Sequence, residues 1–359
     1  MGKLVLMLLA VAAFAADPES TAVWRGGEGG YHTYRIPALV VTKKKTLLAF
    51  CEARRGGRGD SGDIDLLVKR STDGGRSWGN AITIADLGED TIGNPAPVVE
   101  RRTGVVWLLL TRNPGQETEK QIRAGTSSGT RTVWVTHSKD DGLTWAAPVE
   151  ITSSVKDPSW TWYATGPGNG IQMRNGRLVI ACDHNRRDPD RMFSHVIYSD
   201  DRGKTWKLGG SAGPQCNEST VVERKDGSLL LNMRNYEGKN RRAISVSKDG
   251  GASWSEPRLD PALVEPVCQA SLIRHGKGRK SVLLFSNPAD TKRVNMTIKL
   301  SRDDGETWPV SKTIWPGPSA YSNLAELPDG SVGLLYERGE KDPYESITFV
   351  RLTRELNGR

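Results

Sequence analysis

Ser71-Thr-Asp73-Gly-Gly75-Arg-Ser77-Trp78 decides the fold, because the pattern Ser-x-Asp-x-Gly-x-(Ser/Thr)-Trp returns at 138–145, 199–206, 247–254 and 301–308. Successive copies start 67, 61, 48 and 54 residues apart. Self-similarity at that period marks an array of supersecondary units, the β-propeller among them. Each copy makes local sense as a turn. Asp and Gly favour a tight backbone, the Ser or Thr hydroxyl can bond it, and the Trp is expected to pin the turn to its own sheet. These turns are read as structural staples without chemistry of their own.

Working outward, an alternating strand precedes each turn, at 64–71, 132–138, 194–199, 243–247 and 295–301. Apolar runs lie before those, at 46–54, 105–111, 177–184, 228–235, 281–287 and 331–338. Further short strands come first in each unit, at 35–41, 96–100, 170–173, 219–223, 270–274 and 322–327. Weak outer strands follow most turns, such as 148–152 and 312–315. The unit is four hairpin-linked strands, and it occurs six times, so the sequence predicts an all-β, six-bladed β-propeller. The sixth copy lacks the Asp turn and ends with a third strand at 346–352. Residues 21–25 are expected to supply its missing outer strand, closing the ring and removing two exposed edges.

The 359 residues, 36% hydrophobic with 39 Gly and 11 Trp, fit a turn-rich globular protein rather than a disordered one. The net charge of +8 suits an anionic ligand. That charge is scattered, and without a basic helix or RNA-binding signature no nucleic-acid partner is expected. The run Lys43-Lys44-Lys45 reads as a hairpin turn. Residues 1–16 read as a secretory leader, with Lys3, an apolar stretch over 4–13 and a small-x-small site at Ala13-Phe14-Ala15. The remaining domain, 17–359, is expected to be secreted or periplasmic and monomeric, with no membrane span, since no later apolar run is long enough. Cys51, Cys182, Cys216 and Cys268 form no CxxC pair, and the five histidines show no HExxH spacing, so no metal or other cofactor is expected. Export permits disulfides, but three of the four cysteines lie in or beside predicted inner strands, where buried thiols fit equally well.

Topology sorts the polar residues. In an up-and-down unit the start of the first strand, the end of the second and the loop after it share one face. The Asp turns lie on the other. The first face collects Arg35, Asn94, Glu218 and Tyr321 at strand starts, Arg54, Asp183, Arg234 and Glu337 at strand ends, and Asp60 and Arg293 in loops. Arg35, Arg234 and Arg293 converge if the ring closes. Their mutual repulsion is relieved by an anion, and guanidinium forks match a carboxylate. An ordinary rim ion pair is the plain alternative for any one of them. A tyrosine beside a carboxylate base can act as a nucleophile, although its unperturbed pKa is about 10. A packed rim tyrosine is the alternative. Asp60 lies in a glycine-rich loop, 56–62, that can reach over a ligand or be a simple turn.

Gly203-Lys204-Thr205 ends like a phosphate-binding loop but belongs to a repeat turn, and 166–170 is a turn into a strand. Asn217-Glu-Ser219 and Asn295-Met-Thr297 match the glycosylation triplet, yet both fall at the polar face.

Tyr34-Arg35-Ile36-Pro37, the five Asp turns, and the ordered set Arg54, Asp60, Glu218, Arg234, Arg293, Tyr321 and Glu337 resemble the sialidases of the neuraminidase superfamily. The resemblance covers the whole chain after the leader. The Asp turns alone carry little weight, since non-catalytic propellers have them. The resemblance implies a retaining exo-α-sialidase acting on sialylated glycoproteins, glycolipids or oligosaccharides. It implies that Arg35, Arg234 and Arg293 clamp the sialic acid carboxylate, with Glu337 orienting Arg35 and Arg54 lining the pocket. Tyr321 would be the nucleophile, Glu218 its base and Asp60 the acid/base, with Asp63 and Asp65 close by as competitors for that role. Asn94 stands where many bacterial relatives carry an aspartate, which leaves it a pocket role. Glu119 would reach the side chains of the sugar. A sialoside-binding lectin, a purely structural propeller and a transferase are the rival readings.

Overall fold

A computed structural model describes residues 20–187 and 191–352; the leader-like segment lies outside them. Among the described residues strands dominate, with two short helices, Glu119–Ala124 and Thr152–Val155, and one 3₁₀ turn at Gly278–Lys280. The strands form four hydrogen-bonded sheets, paired antiparallel except for one parallel bridge between Ile64 and Thr91.

Chain order and pairing order nearly coincide. Thr33–Val41, Leu47–Arg54, Ile64–Ser71 and Ile82–Ala85 pair in succession, as do Cys216–Glu223, Leu229–Asn235, Arg241–Ser247 and Arg258–Val264. The inner strands lose their alternation because sheets cover both faces: Leu47–Arg54 is buried at every position. The core lies between successive units. One cluster packs Leu48, Phe50, Leu66 and Val68 against Ile92, Val106, Leu108 and Leu110 of the next unit. The strand Ser20–Arg25 pairs with Ser346–Leu352, from Ser20 against Val350 to Arg25 against Ser346, so the N-terminal segment completes the last sheet as expected.

Three elements depart from the sequence reading. The inner strand of the third unit is Trp160–Thr165, and the expected strand at 170–173 shrinks to Ile171–Gln172 after the turn at Gly166-Pro167. The expected outer strand at 148–152 is only Val149–Glu150, because Thr152 begins a helical turn. Residues 310–326 form one continuous 17-residue strand, which serves two sheets in turn.

All five Asp turns share one construction. Ser71 Oγ donates to Asp73 Oδ1 at 2.8 Å and accepts from Gly75 N at 2.8 Å, while Asp73 accepts from the Ser77 amide and hydroxyl at 3.0 and 2.5 Å. The same four bonds recur around Asp140, Asp201, Asp249 and Asp303. The tryptophans do more than pin a turn to its own sheet. Trp78 meets Phe349, Trp145 meets Phe50, and the indole N–H of Trp254 donates to Gly210 O, each partner lying in the preceding unit. Gly75, at φ +92°, lies so close that a Cβ there would sit 2.1 Å from the Phe349 ring. The turns staple neighbouring units together.

Cys51, Cys182, Cys216 and Cys268 are buried free thiols. No helix among the described residues is long and apolar enough to cross a membrane.

Candidate active site

Five inner strands carry a register shift near their start: between Arg35 and Ala38, Gly93 and Ala96, Trp160 and Tyr163, Cys216 and Ser219, and Ser319 and Ser322. These bulges aim Arg35, Asn94, Trp162, Glu218 and Tyr321 at one point. Ile36 and Asn94 hold positive φ values of 59° and 54° there, a conformation few side chains adopt and one found at functional sites. At three of these bulges a freed amide is taken by a buried glutamate. Glu337 accepts from Ile36 N at 2.9 Å and Tyr321 N at 3.0 Å; Glu52 accepts from Asn94 N at 2.8 Å.

The strand starts, strand ends and loops enclose a cavity of about 130 Å³. Arg35, Arg54, Asp60, Asn94, Glu119, Glu218, Arg234, Arg293 and Tyr321, nine of the ten expected site residues, line it. Glu337, the tenth, is fully buried behind Arg35, whose Nε and Nη2 reach its two carboxylate oxygens at 3.0 and 3.3 Å.

Tyr321 is the centre. Its phenol donates to Glu218 Oε1 at 2.6 Å and accepts from Arg234 Nη1 at 3.2 Å. The same Arg234 nitrogen lies 2.7 Å from Glu218 Oε2. The guanidinium carbons of Arg35 and Arg293 stand 5.1 and 5.7 Å from the Tyr321 ring centre. Burial, then the neighbouring Glu218 charge, push the Tyr321 phenol well above its usual range despite the three arginines, so it rests as a neutral phenol. Arg293 Nη1 donates to Tyr344 OH at 2.6 Å. Tyr344 in turn lies under Arg35, 4.1 Å from its guanidinium carbon.

Residues 45–334 match the BNR repeat-like domain. A sialidase of Micromonospora viridifaciens is 38% identical over 350 residues, covering 91% of this chain and 53% of that protein. A Bacteroides fragilis sialidase is 36% identical over 342 residues, covering 88% of this chain and 62% of that protein. The chain belongs to the sialidase family. The solved structure of a Hadza microbial sialidase superposes with a TM-score of 0.84 at 34% identity, over 93% of this chain and 68% of the other. The chain thus spans between half and two-thirds of the length of those two curated relatives.

Within this sialidase-family pocket, Asp60 occupies the entrance, its side chain 67% exposed. Its Oδ1 lies 2.8 Å from Arg54 Nη1 and 3.6 Å from Arg35 Nη1. Desolvation pushes its carboxyl up, but Arg54 and then Arg35 outweigh that and hold it below the usual carboxylate range. Arg54 Nη1 also donates to the carbonyls of Arg58 and Gly59 at 2.6 and 2.9 Å, and Arg58 pairs with Asp342 at 2.5 Å, so the loop is tied on both flanks. Asp63 and Asp65 turn elsewhere: both pair with Arg55, at 3.1 and 2.8 Å, and neither lines the pocket. Glu119 begins the short helix behind a Thr118–Gln121 capping box and lies 3.6 Å from Arg123. Burial raises its carboxyl above the ordinary range.

The sequence reading passed over Glu52, Arg131, Trp162, Tyr236 and Tyr344, and gave Asp183 no role. Glu52 had a signal, since it alternates with Arg54 on one strand and shares its face; it reaches Arg54 Nη2 at 2.5 Å. Tyr344 sits in the last unit where Arg293 sits in the one before. Arg131, Trp162 and Tyr236 have no comparable signal. Among the described residues no group of three His, Cys, Asp or Glu is placed to hold a metal.

Proposed function

We propose that the protein is a retaining exo-α-sialidase, releasing terminal sialic acid from glycans by hydrolysis through a tyrosyl intermediate. One observation carries the reading: a buried phenol hydrogen-bonded to a carboxylate at 2.6 Å inside a pocket whose lining includes Arg35, Arg234 and Arg293. Sialic acid bears a carboxylate on its anomeric carbon. A carboxylate nucleophile would be repelled by it, whereas a neutral phenol is not, and tyrosine sialidases are a recognised exception to the two-carboxylate rule.

Arg35, Arg234 and Arg293 bind the substrate carboxylate, Arg35 being pre-oriented by Glu337. Glu218 takes the phenolic proton as the Tyr321 oxygen attacks the anomeric carbon and the glycosidic bond breaks. Asp60 gives its proton to the leaving oxygen and then draws one from a water that attacks the anomeric carbon, while Glu218 returns its proton as the bond to the Tyr321 oxygen breaks and the phenol is freed. The substrate carboxylate competes with Asp60 for Arg35, which weakens the hold that keeps Asp60 ionised in the empty pocket. Asn94 and Arg54 line the pocket, and Glu119 faces the substituents of the sugar.

We also infer six blades. The pairing supports them: six successive antiparallel sets, five of them bulged toward the pocket, with Ser20–Arg25 completing the sixth. The leader-like 1–16 fits export of the chain to where sialylated glycans lie.

A fluorogenic aryl α-sialoside tests the reading, with NMR of the first-formed sugar. Retained configuration and covalent labelling of Tyr321 by a 2,3-difluoro sialic acid are expected. An inverted product, or an adduct on Asp60 or Glu218, overturns the mechanism. A sialosyl acceptor added at high concentration separates transfer from hydrolysis.

A further inference from the structure

We propose that Asp183 is a substrate-binding residue: with Arg131 and the face of Trp162 it forms a subsite for an uncharged, hydrogen-bonding arm of the sugar. This rests on the sialidase reading of the same pocket.

Asp183 lies in Leu178–Arg186 directly across from Ala164, and Trp162 is two residues earlier on that partner strand. All three side chains line the cavity. Asp183 is 1% exposed. Its Oδ2 accepts from Asn217 Nδ2 at 3.1 Å, while its Oδ1 is buried without a hydrogen-bond partner. A buried carboxyl oxygen left unpaired is costly unless something fills the place.

The charged groups facing Asp183 are Glu218 and Glu119 on one side of the balance and Arg131 and Arg234 on the other. Neither arginine lies within ion-pair distance of it among the described residues: Arg234 pairs with Glu218, and Arg131 donates to Asn94 Oδ1 at 2.6 Å. Burial, then Glu218 and Glu119, push the Asp183 carboxyl well above the usual range, which favours the protonated form. A neutral acid adds no negative charge to a pocket that receives an anion, and it offers both a donor and an acceptor. Arg131 is itself 3% exposed, its Nε has no partner, and its guanidinium lies 4.0 Å from the Trp162 ring centre. An acid that donates and accepts, an open N–H and an aromatic face match a hydroxyl or acylamino group. They do not match a second charge. Sialic acid carries two such arms away from its carboxylate, a trihydroxypropyl chain and an acylamino group.

The competing role is indirect: Asp183 would only hold Asn217 and so position Glu218. Three substrates separate the two. They are an aryl α-sialoside, the same compound with the trihydroxypropyl chain shortened by periodate and borohydride, and one with hydroxyl in place of acylamino. On the parent, Asp183→Ala should lose at least about tenfold in kcat/KM, and Asp183→Asn should stay within about threefold, since an amide also donates and accepts. The Asp183→Ala loss should shrink below about threefold on the substrate lacking the arm that Asp183 holds. Equal loss on all three substrates overturns the contact in favour of positioning. Loss by Asp183→Asn as large as by Asp183→Ala overturns the neutral-acid role. Asp183→Ser, which keeps an acceptor for Asn217, replaces the alanine variant if that one does not fold. A folded wild type that hydrolyses none of the three compounds overturns the sialidase reading itself, a result distinct from either of the others.

Discussion

Tyr321 and Glu218, 103 residues apart in the chain, share a proton at 2.6 Å, and Arg234 Nη1 touches both partners. The phenol is held neutral, so in the proposed mechanism the glutamate takes the proton as the phenol attacks. Tyr321→Phe and Glu218→Gln should each lower kcat by about a thousandfold or more, and the double variant should be no worse than the poorer single one. Steady-state kinetics on one aryl α-sialoside measure this. Losses that multiply in the double variant would mean that the two residues act separately.

As the proposed acid/base, Asp60 is expected to matter chiefly for leaving groups that need a proton. Asp60→Ala should cost about a hundredfold or more on a sialyl-lactose and under about tenfold on an activated aryl sialoside. The loop is tied by Arg58 to Asp342, an exposed pair worth little to global stability. Asp342→Ala should therefore leave the melting temperature near wild type and show the same leaving-group pattern, more weakly. A loss equal on both substrates would argue that the loop only admits substrate.

Arg293→Lys keeps the charge and discards the fork, along with the 2.6 Å contact to Tyr344. A fall in kcat/KM of at least about tenfold is expected. Unchanged kinetics would take Arg293 out of the clamp.

The Asp turns set the acid limit of the fold. The Thr144 hydroxyl, then its amide, lower the Asp140 carboxyl to about 2, and Ser253 does the same for Asp249. A carboxyl depressed on folding stabilises the native state above its unfolded pKa of about 4, and that stability fades as pH falls through the folded value. The melting temperature should drop steeply between about pH 4 and pH 2. Asp140→Ala should flatten part of that drop and cost roughly 2–6 °C at pH 7, with kcat/KM near wild type. A folded but inactive Asp140→Ala would contradict the separation of the two faces.

The repeat period and the apolar runs made the strand architecture readable, because each unit restates the same turn chemistry and the same buried inner strand. The site was readable to the extent that topology alone fixes position: strand starts and strand ends must meet at one mouth. Arg131 and Tyr236 escaped because nothing in the one-dimensional pattern tells which loop side chain folds inward, and Trp162 because its strand was not recognised. Asp183 was visible at a strand end, but its significance lies in an unfilled oxygen, and only packing reveals that. The third unit misled because Trp160–Thr165 shows no alternation, while the Gly-rich turn after it looks like a strand entry. The tryptophans were assigned to their own sheets since a sequence motif carries no information about what lies next door.

The continuous strand Val310–Glu326 has no loop between its two sheets. Pro318 still pairs backward, with Val294, and Ser319 already pairs forward, with Arg338. Ser319 N also donates to Arg293 O at 2.8 Å, two residues before Tyr321. Tyr321, the proposed nucleophile, thus sits on the same strand that holds the backbone of Arg293, one arm of the proposed anion clamp. Here one inserted residue would slip the register and turn the phenol away from its base. This junction is constrained in length by two registers at once, which makes it a natural place to anchor an alignment or a redesign.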